Sequence, residues 1–243
     1  MNTVRLLPFE SLSGVGNMAA DEAMLESAAR GVASLRFYTW TEPTLSLGYF
    51  QPSADRLTRP PSAWVRRSTG GAGILHDPAH EITYSFALPP GDAWQPVGES
   101  WLCRFHHLLQ DSFRTLGVET RAVVCGEERK LGPVLCFLHQ TAADLMANGA
   151  KVVGSAQRKL RGCLLQHGSI LLSRSPLAPE LPGIAELTGK RVDVLRLQLD
   201  VVKRVGDAFG WRLSEDTWTA AEVTGRERTA SEKFGTKEWN EKR

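Results

Sequence analysis

The sequence predicts an α+β fold, a mixed and largely antiparallel sheet flanked by helices. Strand-type segments follow one another with no intervening helix between residues 34 and 88, and again between 144 and 172. Two amphipathic helices, Glu99 to Leu116 and Asp193 to Phe209, stand apart from those runs, so the strand–helix alternation of a doubly wound sheet is missing. With 243 residues and 42% hydrophobic side chains the chain can bury a sizeable core, and 23% charged residues is too ordinary a share for disorder.

The elements follow in order. Asn17 is placed to cap a helix running to about Arg30, with Asp21 and Glu22 near its start favouring the helix dipole and Gly31 ending it. Met18, Leu25 and Ala28 form its buried stripe. Ser34 to Trp40, Thr44 to Tyr49, Ala63 to Arg67 and Ile82 to Leu88 read as strands, the last stopped by Pro89-Pro90-Gly91. In the helix from Glu99, Leu102, Phe105, Leu109 and Phe113 recur at helical spacing. His106 and His107 within it read as packed or solvated, because adjacent helical residues do not face one site. Asn148-Gly149 supplies the two positive φ values of a type I′ hairpin. A two-residue loop there pairs Ala147 with Ala150 and Met146 with Lys151, and places Lys151 and Val153 on one face. Cys163 to Leu172 is a further apolar strand. Leu195, Val201, Val202 and Val205 mark the apolar side of the second long helix, and the polar segment from Glu215 reads as a helix that then frays.

Composition narrows the function. A net charge of +2 makes no demand for nucleic acid, and no apolar run approaches the length of a membrane span. Met1 to Glu10 lacks the pattern of a secretory signal. The four cysteines, Cys103, Cys125, Cys136 and Cys163, form no CxxC pair, which leaves a metal site unsupported and reads as reduced thiols of a cytoplasmic protein. Cys103, Cys125 and Cys163 read as packing residues.

Four groups could carry chemistry. Arg66-Arg67-Ser68-Thr69-Gly70-Gly71-Ala72-Gly73 is a small-residue loop after a strand; it fits neither a Walker loop nor a dinucleotide fingerprint, and its glycines permit close approach to a ligand. Arg66 and Arg67 alternate faces, so at most one points at a given pocket. Lys151, between apolar strand residues, could stabilise negative charge on a thioester carbonyl or a thiolate. His167, in Gln166-His167-Gly168-Ser169, is either a satisfied core histidine or a group that holds a substrate or lysine in place. Cys136, in Val134-Leu135-Cys136-Phe137, needs a neighbouring cation to act at neutral pH, and Lys151 is the one the hairpin can bring to it.

The order of these elements resembles the lipoate-protein ligase A and octanoyltransferase superfamily. Leu35-Arg36-Phe37-Tyr38-Thr39-Trp40, Leu45-Ser46-Leu47-Gly48-Tyr49-Phe50-Gln51 and Arg66-Arg67-Ser68-Thr69-Gly70-Gly71 carry the first half of the resemblance. His76-Asp77, Thr83-Tyr84-Ser85-Phe86, Asn148-Gly149-x-Lys151, Gly154-Ser155-Ala156-Gln157 and Gln166-His167-Gly168-Ser169 carry the second, with Glu238-Trp239-Asn240 resembling a closing motif. The resemblance implies one catalytic domain over residues 1–243, of the biotin and lipoate ligase type related to class II synthetases, without the ligases' C-terminal accessory domain. It implies a tunnel for an eight-carbon chain. It implies Lys151 as the essential lysine, and Arg66, Arg67, Ser68, Thr69, Gly70, Gly71, His76, Gly154, Ser155, Ala156, Gln157, His167 and Gly168 as the substrate-binding set.

Within that superfamily, Cys136-Phe137 shortly before the Asn-Gly hairpin resembles the cysteine-dependent octanoyltransferases that look most like the ligases. Their chemistry implies an octanoyl-acyl carrier protein as donor and a Cys136 thioester. The implied acceptor is the lysine of a lipoyl domain, such as glycine-cleavage H protein or a 2-oxoacid dehydrogenase E2. No cofactor is implied, because thioester to amide is downhill. An ATP-dependent lipoate ligase, which would add ATP and Mg, an amidotransferase between lipoyl domains, and a non-catalytic acyl or lipoyl-domain binder stay open as alternatives. Neither nucleic acid nor a membrane is implied as a partner.

Overall fold

A computed structural model describes residues 3–58, 61, 63–91, 94–95, 98–130 and 134–243. Its strands in chain order are β1 (Thr3–Leu6), β2 (Glu10–Leu12), β3 (Ala33–Trp40), β4 (Thr44–Leu47), β5 (Trp64–Arg66), β6 (Ile74–His76) and β7 (Glu81–Leu88). They continue with β8 (Arg121–Ala122), β9 (Arg129–Lys130), β10 (His139–Gln140), β11 (Leu145–Ala147), β12 (Ala150–Leu160), β13 (Cys163–Leu171) and β14 (Arg212–Glu215). The helices are α1 (Gly14–Ala28), α2 (Trp101–Thr115), α3 (Ile184–Thr188), α4 (Val194–Phe209), α5 (Ala220–Thr229) and α6 (Lys237–Asn240).

Nine strands form one mixed sheet in the order β14-β1-β3-β7-β13-β12-β11-β8, with β2 also on β3. The pairs from β3 to β8 are antiparallel, and those of β1 with β14 and β3 are parallel. A small sheet, β5-β4-β6, carries the glycine loop between β5 and β6. The α+β expectation therefore holds.

Strand alternation divides the sheet into two chemistries. Leu35, Phe37, Tyr84, Phe86, Leu164 and Ile170 face α2 and α4, in one core with Trp101, Phe105, Leu109, Val201 and Val205. Between them, Arg36, Ser85 and His167 face α1. No helix among the described residues is long and apolar enough to cross a membrane.

The structure corrects several boundaries. Helix α1 begins three residues before Asn17, capped by the Ser13 hydroxyl, which accepts from Gly16 N–H. Asn17 instead donates its amide to Leu12 O and Thr39 O, tying the helix to β2 and β3. Asp21 is thus inside the helix, buried, and serves no dipole. Leu195 is exposed and Leu197 takes its place in the core. The hairpin pairs Met146 with Lys151 as expected, but a bulge then pairs Leu145 with Val153, so strict alternation fails and Val152 and Val153 enter the same core. Cys125 is exposed in a turn rather than packed. The C-terminal segment does not fray: Asn240 Oδ1 accepts from Arg66 N–H at 2.7 Å, and Trp239 Nε1 donates to Arg66 O at 2.8 Å. His106 and His107 diverge; the first is buried and the second pairs with Glu99 at the surface.

Candidate active site

The Asn148-Gly149 turn has φ values of 42° and 87°, the left-handed pair that a type I′ hairpin requires. It delivers Lys151 into the interior, 4% exposed. An ammonium is costly there without a partner, and Asp144 supplies one at 2.8 Å. Asp144 is itself fixed by Thr141, whose N–H and hydroxyl both donate to Oδ2. The remaining Lys151 donors meet His139 O at 3.1 Å, Cys136 O at 3.4 Å and Cys136 Sγ at 3.6 Å. The aliphatic end of the lysine passes over Gly154, where a Cβ would stand 2.4 Å from Cε and 2.8 Å from Nζ. Gly154 therefore makes room for the lysine rather than for a ligand.

Cys136 does not lie on a strand beside the hairpin. It opens a 3₁₀ turn, Cys136–Leu138, that is zipped onto the end of the glycine loop. Gly73 N–H donates to Val134 O at 2.8 Å and Cys136 N–H donates to Gly73 O at 2.7 Å. Half-buried, Cys136 packs against Ile74, Phe137 and Leu171.

The two arginines take opposite sides, as alternation demands. Arg67 lies under the glycine loop: Nη2 donates to Gly70 O and Ala72 O, Nη1 to Ser46 O, and Nε to Thr69 Oγ1. Burial lowers its guanidinium to about 10, partly offset by the nearby Cys136. Arg66 points the other way, to Gly48 O, Gln51 O and Asn240 O. Only Arg67 reaches the region of Cys136 and Lys151. Gly71 holds φ +92°, and a Cβ on Gly48 would strike Gly71 O at 1.8 Å, so the loop closes only over glycine.

His167 is a satisfied core histidine that also supports the loop. Its Nδ1–H donates to Asp21 at 2.8 Å, and its Nε2 pairs with Thr69 Oγ1 at 2.7 Å. Asp21 also accepts from Arg36 at 2.6 Å and Ser85 at 2.5 Å. Burial opposes the Asp21 charge, yet Arg36, His167 and Ser85 together hold its carboxyl below the usual range. His76 stacks on Trp40 and bridges Ser46 and Glu81 at 2.8 and 2.6 Å; burial lowers it.

His76, His167, Gly168, Ala156 and Arg67 border one cavity of about 20 Å³, closed on its apolar side by Met18 and Ile74. That space holds about one water molecule. Ser155 and Gln157 do not border it. Their strand alternation turns them to the α2 side, where Ser155 Oγ meets Tyr84 Oη and His106 Nε2 and Gln157 donates to Gln166. Ser68 is half-buried at the loop's entrance. Asp144, Asp21 and Arg36 were absent from the sequence-derived set.

The Lipoyl protein ligase A/B catalytic domain family matches residues 14–178. Octanoyltransferase LipM of Kyrpidia tusciae is 32% identical over 99% of both chains, and that of Halalkalibacterium halodurans is 32% identical over 99% of both. Among solved structures, a lipoate-protein ligase A bound with ATP superposes with a TM-score of 0.79 at 22% identity, covering 99% of each chain. A bi-partite lipoate protein ligase from Thermoplasma acidophilum gives 0.74 at 19% identity, covering 99% of this chain and 97% of that one.

Proposed function

The chain belongs to the lipoyl protein ligase A/B catalytic-domain family, and on that premise we propose that it passes an octanoyl group through a thioester on Cys136. It is an octanoyltransferase of protein lipoylation, as are the relatives matched along their whole length. Such an activity needs an acyl donor and a lipoyl-domain acceptor. We assign octanoyl-acyl carrier protein as donor. The acceptor is the lysine of a lipoyl domain such as glycine-cleavage H protein or a 2-oxoacid dehydrogenase E2.

The observation that carries the reading is the 3.6 Å approach of Lys151 Nζ, on strand β12, to Cys136 Sγ, on the 3₁₀ turn before it. An ammonium there stabilises negative charge on sulfur. The Cys136 thiolate attacks the thioester carbonyl, and the developing oxyanion lies within reach of Lys151. The carrier thiolate leaves and takes up a proton, giving octanoyl-Cys136. The acceptor's neutral amine then attacks that thioester, loses a proton and becomes an amide, and the Cys136 thiolate is restored. Thioester is exchanged for amide, so the sequence of steps runs downhill without ATP.

Transfer of octanoate from carrier protein to a lipoyl domain tests this. Cys136→Ser and Lys151→Ala should each lower the rate by at least about a hundredfold. Full transfer by Cys136→Ser would remove the thioester scheme. Turnover only with lipoate and ATP would identify a ligase, and turnover only from an octanoylated lipoyl domain an amidotransferase.

A further inference from the structure

On the outer side of the glycine loop, Arg66 is fully buried with Nη2 unpartnered among the described residues. Its Nη1 and Nε are used on the carbonyls of Gly48, Tyr49, Gln51 and Asn240. Two more cations gather above it. Lys242 Nζ is 3.6 Å from the Tyr49 ring centre and 3.2 Å from that of Trp239, and the Arg243 guanidinium is 5.6 Å from Tyr49 and 5.5 Å from Phe50. Among the described residues, no carboxylate side chain pairs with any of the three. Lys233, close by on Trp239, is by contrast neutralised by Glu22 at 2.8 Å. Burial lowers Arg66 and Lys242; like charge adds to this, from Arg243 on Arg66 and from Arg66 and Lys233 on Lys242, while the Tyr49 hydroxyl opposes it at both. Aromatic faces attract cations but do not cancel their charge.

We infer that Arg66, Lys242 and Arg243, framed by Tyr49 and Trp239, form a binding subsite for a phosphate group, the phosphodiester at the far end of the donor's pantetheine arm. The inference rests on the octanoyltransferase reading and names how the donor is held. A guanidinium with a spare N–H, beside two further cations, matches a phosphate's several acceptor oxygens. The position is right for an arm. Tyr49 N–H donates to Thr69 O of the glycine loop, and Gln51 Nε2 donates to Val134 O, two residues before Cys136. The segment that carries Tyr49 is thus tied both to the glycine loop and to the turn that carries Cys136.

The test compares octanoyl-4′-phosphopantetheine with octanoyl-pantetheine as donors in acylation of Cys136, followed by intact mass. The phosphorylated donor should have the higher kcat/KM by about tenfold, the worth of one charge-assisted hydrogen bond, and the advantage should shrink with added salt. In Lys242→Gln/Arg243→Gln the ratio should fall towards one; Arg66 is left intact because its backbone bonds hold the loop. Calorimetric titration with 4′-phosphopantetheine should show binding that the double variant loses. A wild-type ratio of one, or a ratio that survives in the double variant, overturns the subsite. If neither donor acylates Cys136, the transferase reading fails, and the titration still decides the subsite by itself. Tight ATP binding lost in the double variant, with no discrimination between donors, would assign the phosphate to a nucleotide and overturn the carrier-arm inference.

Discussion

On one face of the nine-stranded sheet, Phe86, Trp101, Phe105, Phe209 and Trp211 meet edge-on or face to face at centroid distances of 4.7 to 6.2 Å, joining the sheet to α2 and α4. On the other, Asp21 of α1 joins Arg36, Ser85 and His167 by bonds of 2.5 to 2.8 Å. The aromatic face has few directional demands and supplies burial. The polar face supplies direction. Asp21 fixes His167, His167 fixes Thr69, Thr69 accepts from Arg67, and Arg67 holds the glycine loop whose Gly73 docks Cys136. Stability is drawn mainly from one side of the sheet and the placement of the site from the other.

The largest effect expected from breaking this division is Asp21→Ala. It strands a buried guanidinium and a buried imidazole, so it should cost about 3–5 kcal/mol in urea unfolding and slow transfer in the molecules that remain folded. A loss below about 1 kcal/mol would show that the polar face is not a connected unit.

His106 is a buried titratable group on the aromatic side, and it gives a pH test. Its Nδ1–H donates to Ala143 O, Nε2 pairs with Ser155 Oγ, and burial lowers it to about 4. The native state therefore binds fewer protons than the unfolded chain between pH 6.5 and 4. Stability is complete above pH 6.5 and should fall by roughly 3 kcal/mol as pH drops to 4. Unfolding curves across that range should show the slope, and His106→Gln should reduce it, leaving the part that His76, also lowered by burial, contributes.

Gly154→Ala sharpens the comparison from the site's side. The new Cβ collides with Lys151, so transfer should drop by about a hundredfold, since a displacement near 1 Å is enough for such a loss. Its melting curve should move little, because the lysine's flexible end can yield. Phe105→Leu should do the reverse. It should destabilise by roughly 1–2 kcal/mol and leave the rate per folded molecule intact. If Phe105→Leu slowed transfer as much as Gly154→Ala, the two faces would not be separable.

Much of this was legible in the chain. The Asn148-Gly149 turn fixed the Met146–Lys151 register, because two positive φ values admit few alternatives. Alternation sent Arg66 and Arg67 to opposite sides. The stripe Met18, Leu25 and Ala28 was also right, and it held an unread signal: position 21 completes the i, i+3, i+7 spacing, so Asp21 had to be buried and had to find partners. Other features depended on distant chain. Asp144 is held locally by Thr141, but its role appears only once the hairpin folds Lys151 back onto it. The docking of Cys136 on Gly73 joins residues 63 positions apart, which periodicity cannot see. The C-terminal segment looked polar and loose, yet Trp239 and Asn240 are fixed by the backbone of Arg66.

The central claim is that the cysteine beside Lys151 carries the acyl group. Intact-protein mass spectrometry after mixing the chain with octanoyl-carrier protein, without ATP and without acceptor, addresses it directly. The account predicts a gain of one octanoyl group, localised to Cys136 and absent in Cys136→Ala. A wild-type protein that stays unmodified while transferring octanoate to a lipoyl domain, or an adduct that persists in Cys136→Ala, would contradict it.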